Sequence, residues 1–147
     1  MTAAQIVHKA GHWSGPAADR LVLDYEARFL RRKRMVTEAG AELMVDLAET
    51  VSLDEGDALE TGSGEMIEIR AAAEPLLKVT GDLPRLAWHI GNRHTPCQIM
   101  GDHLLIRADH VLAGMLAGLG AETEALTAPF TPEGGAYGHG RTHSHAH

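Results

Sequence analysis

The spacing of apolar residues along this chain changes once, near residue 73, and that change limits the possible folds more than any other feature. Before it the apolar segments are brief: Arg20-Leu21-Val22-Leu23-Asp24, Glu42-Leu43-Met44-Val45-Asp46-Leu47 and Glu65-Met66-Ile67-Glu68-Ile69-Arg70. The last alternates with period two, the signature of a half-buried strand. Between them lie Gly15-Pro16, Glu38-Ala39-Gly40, Asp54-Glu55-Gly56-Asp57 and Thr61-Gly62-Ser63-Gly64, all residue types that close turns. Residues 1–72 are therefore expected to form a small all-β domain.

After the change, strand and helix periods take turns. Pro75-Leu76-Leu77-Lys78-Val79 reads as a strand, and Asp82 as the N-cap of a helix whose Leu83, Leu86, Ala87 and Ile90 recur at helical spacing. Thr95-Pro96 stops that helix, because the residue before proline is pushed out of the helical region. Cys97-Gln98-Ile99-Met100 and Leu104-Leu105-Ile106-Arg107 flank Gly101-Asp102-His103 as a hairpin. Asp109 caps a second helix with Val111, Leu112, Met115, Leu116 and Leu119 as its buried stripe, and Gly120 ends it. Glu122 to Ala128 completes a β-α-β-β-α-β order, the ferredoxin-like unit, over residues 73–132. The predicted class is thus α+β. Each half, about 70 residues, buries little surface alone, so dimerisation is expected.

Residues 133–147 have almost no apolar content and are expected to be disordered. The last nine residues hold His139, His143, His145 and His147, four of the ten histidines in the chain. Imidazole is the commonest metal ligand, and short His-rich tracts read as metal-binding on composition. Expression tags are usually unbroken His runs, whereas here other residues intervene. Imidazole-rich sites without thiolates suit nickel, copper or zinc. The single Cys97 leaves the closed zinc sets of several thiolates out of reach.

Other classes are disfavoured. A net charge of −7 argues against nucleic acid as the main partner and concentrates cations nearby. The basic run Arg28-Phe29-Leu30-Arg31-Arg32-Lys33-Arg34 reads as a solvated strand face or a contact for an acidic protein, ahead of an RNA contact. No apolar run approaches the roughly 20 residues of a membrane span, no secretory leader is visible at the N-terminus, and one cysteine agrees with a reducing cytosol. There is no His-Glu-x-x-His, Gly-x-Ser-x-Gly or Gly-x-x-x-x-Gly-Lys, so no enzyme class is indicated.

Among the remaining histidines, His94 falls where the first helix must end. There the helix dipole favours a cation or bound metal, and a capping role competes. His110 opens the second helix, where the dipole keeps its ring neutral and able to ligate, though an ordinary exposed residue is the rival reading. His103 reads as a loop residue and His89 as structural, and His8 and His12 are assigned no site.

Trp88-His89-Ile90-Gly91-Asn92-Arg93-His94, Asp109-His110-Val111-Leu112 and Pro129-Phe130-Thr131-Pro132-Glu133-Gly134-Gly135-Ala136-Tyr137 together resemble the urease accessory protein UreE family, nickel metallochaperones. The first half is similar too, in Leu53-Asp54-Glu55-Gly56-Asp57-Ala58-Leu59 and in Ala72-Ala73-Glu74-Pro75-Leu76-Leu77-Lys78-Val79. The resemblance implies a homodimer with a partner-binding N-terminal β domain and a metal-binding C-terminal domain. It implies that His94 meets its symmetry mate at the dimer interface and binds nickel as cargo, and that His110 belongs to a secondary site. Some members carry a further His two positions before that one, where this chain has Ala108. His143, His145 and His147 match no motif position and rest on composition. Zinc or copper are expected as substitutes in vitro. The implied recipients are the urease accessory GTPase and apo-urease with its other accessory proteins, in the cytoplasm. A metal buffer without a recipient is the rival class, but it would not need the ordered β half.

Overall fold

The computed structural model describes residues 1–134. The chain separates into two compact units, Met1–Ala72 and a second beginning at Ala73.

In the first unit, strands β1 (Thr2–His8), β2 (Asp19–Leu23), β3 (Phe29–Val36), β4 (Glu42–Ser52), β5 (Ala58–Thr61) and β6 (Met66–Ala71) form one sheet. Its order is β2-β6-β5-β1-β4-β3, with β2/β6 and β1/β4 parallel and the remaining pairs antiparallel. The pleat sends alternate side chains to opposite faces. In β4, Leu43, Val45 and Leu47 are buried, and in β6 so are Ile67 and Ile69; they share one core with Leu21, Leu23, Leu30 and Leu59.

This sheet is larger than the three segments read from sequence. β1 and β5 escaped notice because their apolar residues are few and weakly periodic, and long-range pairing makes them strands. The basic run forms β3, where Arg31 to Arg34 are exposed as expected of a solvated strand. Arg28 departs from that reading. It is buried in the 3-10 turn before β3, donating through Nε to Leu53 O at 3.1 Å and through one terminal nitrogen to Leu23 O at 3.0 Å. Its charge is satisfied by backbone carbonyls that sequence spacing does not bring to notice.

The second unit runs β7 (Ala73–Thr80), α1 (Leu83–Asn92), β8 (Gln98–Ile99), β9 (Leu104–Arg107), α2 (His110–Gly118) and β10 (Glu122–Pro129). The sheet order is β10-β7-β9-β8, all antiparallel. This is the ferredoxin-like arrangement, with the two middle strands supplied by the first and third in sequence. Asp82 caps α1 by accepting from Arg85 N, and Asp109 caps α2 by accepting from Val111 N at 2.8 Å and Leu112 N at 3.2 Å. Val79, Leu86, Ile90, Leu104, Ile106, Leu112 and Leu116 form the core.

One stripe position was misread. Val111 is 58% exposed, because Leu112 and Leu116, four residues apart, turn one face of α2 inward and leave Val111 a quarter-turn away. Leu116 is fully buried. Leu116→Ala is expected to cost about 3 kcal/mol of stability, read as a lower urea midpoint at unchanged slope. An unaltered midpoint would place Leu116 outside the core. Among the described residues no helix is long and apolar enough to cross a membrane.

Candidate metal centre

The last turn of α1 closes with Arg93 N donating to Ile90 O at 3.1 Å, His94 N to Gly91 O at 2.9 Å and Thr95 N to Ile90 O at 3.3 Å. The third of these bonds, from the residue after His94, needs a left-handed residue before it, and His94 supplies it with φ +58°. Glycine normally occupies such a position because it has no Cβ to clash. His94 is the one non-glycine residue with positive φ among those described, and a left-handed conformation costs an ordinary side chain roughly 1–2 kcal/mol. Strain of this kind clusters where a particular side chain is needed. The residue is exposed.

Three pieces of backbone converge around it. The loop His94–Pro96, the segment Arg107 to Asp109 and Leu112 line a cavity of about 360 Å³. Ala108 N donates to Pro75 O at 3.1 Å, which fixes the chain as it passes from β9 to the Asp109 cap. Bonds from Leu112 N and Val111 N hold the Asp109 carboxyl below its ordinary pKa of 3.8, so it is anionic at neutral pH. A carboxylate and an imidazole thus border one opening, a donor set suited to a divalent first-row metal. Asp109 was legible in sequence as a cap, but its place beside His94 was not, because strand pairing between β7 and β9 brings the two segments together.

His110 begins α2 and is exposed, but it does not line this cavity. His103 bonds Asp102, and His89 lies edge-on to Trp88 at 5.0 Å. His8 meets Glu60 at 2.8 Å. Among the described residues no three His, Cys, Asp or Glu stand close enough together to hold a metal ion. One chain's described residues therefore offer His94 as a single imidazole.

Cys97 is half-buried, and burial followed by the nearby Glu133 charge pushes its thiol up to about 11. The thiolate is the metal ligand, so at neutral pH Cys97 is a poor one. Cys97→Ser is expected to leave nickel stoichiometry unchanged in equilibrium dialysis, and a lost equivalent would assign the sulfur to the centre. The chain beyond β10 returns to this region: Thr131 N donates to Gln98 Oε1 and Glu133 N to Cys97 O, both at 2.9 Å. Gly135 onward, with His143, His145 and His147, lies outside the described residues.

The sequence profile of the UreE urease accessory protein N-terminal domain matches residues 3–72, and that of the C-terminal domain matches residues 65–147. The chain belongs to the UreE urease accessory protein family. Relatives named urease accessory protein UreE include that of Cereibacter sphaeroides, 62% identical over 95% of this chain and 76% of the relative. That of Rhodobacter capsulatus is 60% identical over 100% of this chain and 94% of its own length. That of Ruegeria pomeroyi is 57% identical over 100% and 99%. The UreE assignment agrees with the resemblance read from the Gly-Asn-Arg-His and Asp-His-Val-Leu segments. It gives this chain an accessory role in urease maturation rather than an enzyme's role.

Proposed function

We propose that this protein is a cytoplasmic nickel carrier that donates the ion while the urease metallocentre is assembled. The observation that carries the reading is His94, an exposed imidazole held in a strained left-handed cap beside the Asp109 carboxylate. A carrier must grip its cargo in an incomplete shell that another protein can enter, and an exposed helix terminus meets that need.

A single imidazole is too few ligands for tight binding. Twofold association would double it, since any residue near the axis meets its own copy. Surface chemistry supports a homodimer through the second unit, because Trp88 is 63% exposed, Ile99 54% and Val111 58%. Association that covers these side chains would remove their apolar surface from water. Within such a dimer the two His94 rings hold nickel, and zinc or copper, which accept the same ligands, occupy the site in vitro. His110 is the candidate secondary ligand; it is not among the residues that line the cavity, and Ala108 stands two positions before it, which makes that site the weaker one.

The tail histidines His143, His145 and His147 are proposed to gather the ion. Covalent geometry allows it: the segment is tethered at Glu133, bonded to Cys97, three residues beyond His94. The ten residues from Glu133 to His143 can span up to about 35 Å. The recipients would be the urease accessory GTPase and, through it, apo-urease with its other accessory proteins, met by the β unit.

Complementation tests the proposal. In a urease-producing bacterium deleted for its own UreE, the intact chain should restore urease activity at limiting nickel, and His94→Ala should fail while excess nickel compensates. Full restoration by His94→Ala would reject His94 as the carrier residue.

A further inference from the structure

β3 is an edge strand of its sheet, and Arg31, Arg32, Lys33 and Arg34 follow one another along it, all exposed. The surrounding unit is acidic: residues 1–72 hold eight Lys and Arg against thirteen Asp and Glu, a net charge of −5 with His neutral. Elsewhere in the unit the exposed cations are matched. Lys9 reaches Asp54 and Asp57, Arg20 reaches Glu38 and Glu68, and Arg70 reaches Glu55 and Glu68. On β3 the matching among the described residues stops at one long contact, from Arg32 to Asp46 at 3.8 Å.

A charged edge can serve only to keep other strands away, and Lys33 is placed for that task. It sits opposite the buried Val45, on the core side of the strand. Edge protection does not account for the arginines. Arg32 and Arg34 lie opposite Asp46 and Met44 on the other face, and Arg31 falls at the register shift between Leu30 and Arg32. Guanidinium is the cation that pairs carboxylates in a planar, two-pronged way. Four like charges in a row repel one another, and a partner carboxylate relieves that repulsion.

We propose that β3 is a docking strip for an extended acidic segment of a partner protein, held by Arg31, Arg32 and Arg34. From Arg31 to Arg34 the strip is about 10 Å long, matching carboxylates spaced along an extended peptide. A long polyanion such as RNA is the less suited occupant, because the net −5 of the unit repels phosphate that runs past the strip. The proposal rests on reading residues 1–72 as the partner-binding half of the carrier, and names the surface and the chemistry it recognises.

The test uses the full chain and fluorescein-labelled octaglutamate as probe, followed by anisotropy at low salt. A single-stranded RNA dodecamer of mixed sequence is the competing probe. The intact protein should bind the peptide, more weakly as salt rises. Arg31→Glu combined with Arg34→Glu should weaken binding at least about tenfold, with the neutral Gln pair intermediate. Arg85→Glu, which changes net charge in the second unit by as much as the Gln pair does in the first, should leave it unchanged. No binding by the intact chain, equal losses in Arg85→Glu and the double variant, or tighter binding of the RNA would each overturn the proposal. Nickel dialysis of the double variant keeps the two readings apart: the tight nickel site should survive loss of the strip, whatever becomes of the carrier reading.

Discussion

Asp57→Ala is expected to cost about 3–5 kcal/mol of stability, because it strips the partner from several donors gathered around a buried carboxylate. The carboxylate is fully buried. Oδ1 accepts from Ala10 N at 2.8 Å, while Oδ2 accepts from Asp54 N at 2.8 Å and from Lys9 Nζ at 2.9 Å. One side chain thus ties the segment after β1 to the turn between β4 and β5. Asp57→Asn keeps one acceptor oxygen but loses the charge and turns an NH2 toward the donors of the other oxygen, so it should recover only part of the loss. Urea unfolding of the two variants beside the parent checks the ranking. A cost below about 1 kcal/mol for the alanine variant would show that neighbouring groups or water replace the carboxylate.

The second large effect is on metal affinity. Both His94→Ala and His94→Gly remove the imidazole, and each should weaken the tightest nickel site by about 100-fold or more, or about 2.7 kcal/mol. The two variants separate function from architecture. At φ +58° alanine keeps the backbone strain and glycine relieves it, so the glycine variant should be about 1 kcal/mol more stable than the alanine variant. Any contact made by the ring is absent from both, so the comparison isolates the backbone. Equal stabilities would mean that the loop has relaxed away from the left-handed conformation. Glycine thus suits the backbone at this position better, and the imidazole is there for another reason.

The second unit was readable from sequence because its rules are local. Asp82 and Asp109 cap their helices as their side chains require, and the helical spacing of Leu86, Ile90, Leu112 and Leu116 survives as the core. The first unit was readable only where a strand alternates strongly, as in β6. β1 and β5 are strands because each is hydrogen-bonded to distant neighbours, information that no short window contains. Arg28 shows the same limit in a single residue, since the Leu53 carbonyl that helps bury it lies 25 positions away.

At the site, sequence located His94 at a helix end and named Asp109 as a cap. It did not show that they border one cavity. That juxtaposition needs β9 registered on β7, which sets Arg107 opposite Leu76, and the left-handed turn that follows α1. Glycine at position 94 would have announced that turn, and the histidine conceals it. The tail histidines had a legible composition, and their positions lie outside the described residues.

In the proposed dimer two copies of His94, one from each chain, hold the nickel ion. Native mass spectrometry during nickel titration decides whether they do. The first ion to bind should saturate at one per two chains, in a dimer, and the His94→Ala dimer should take up no such ion. One tight ion per single chain, or a tight ion retained by the His94→Ala dimer, would contradict that arrangement.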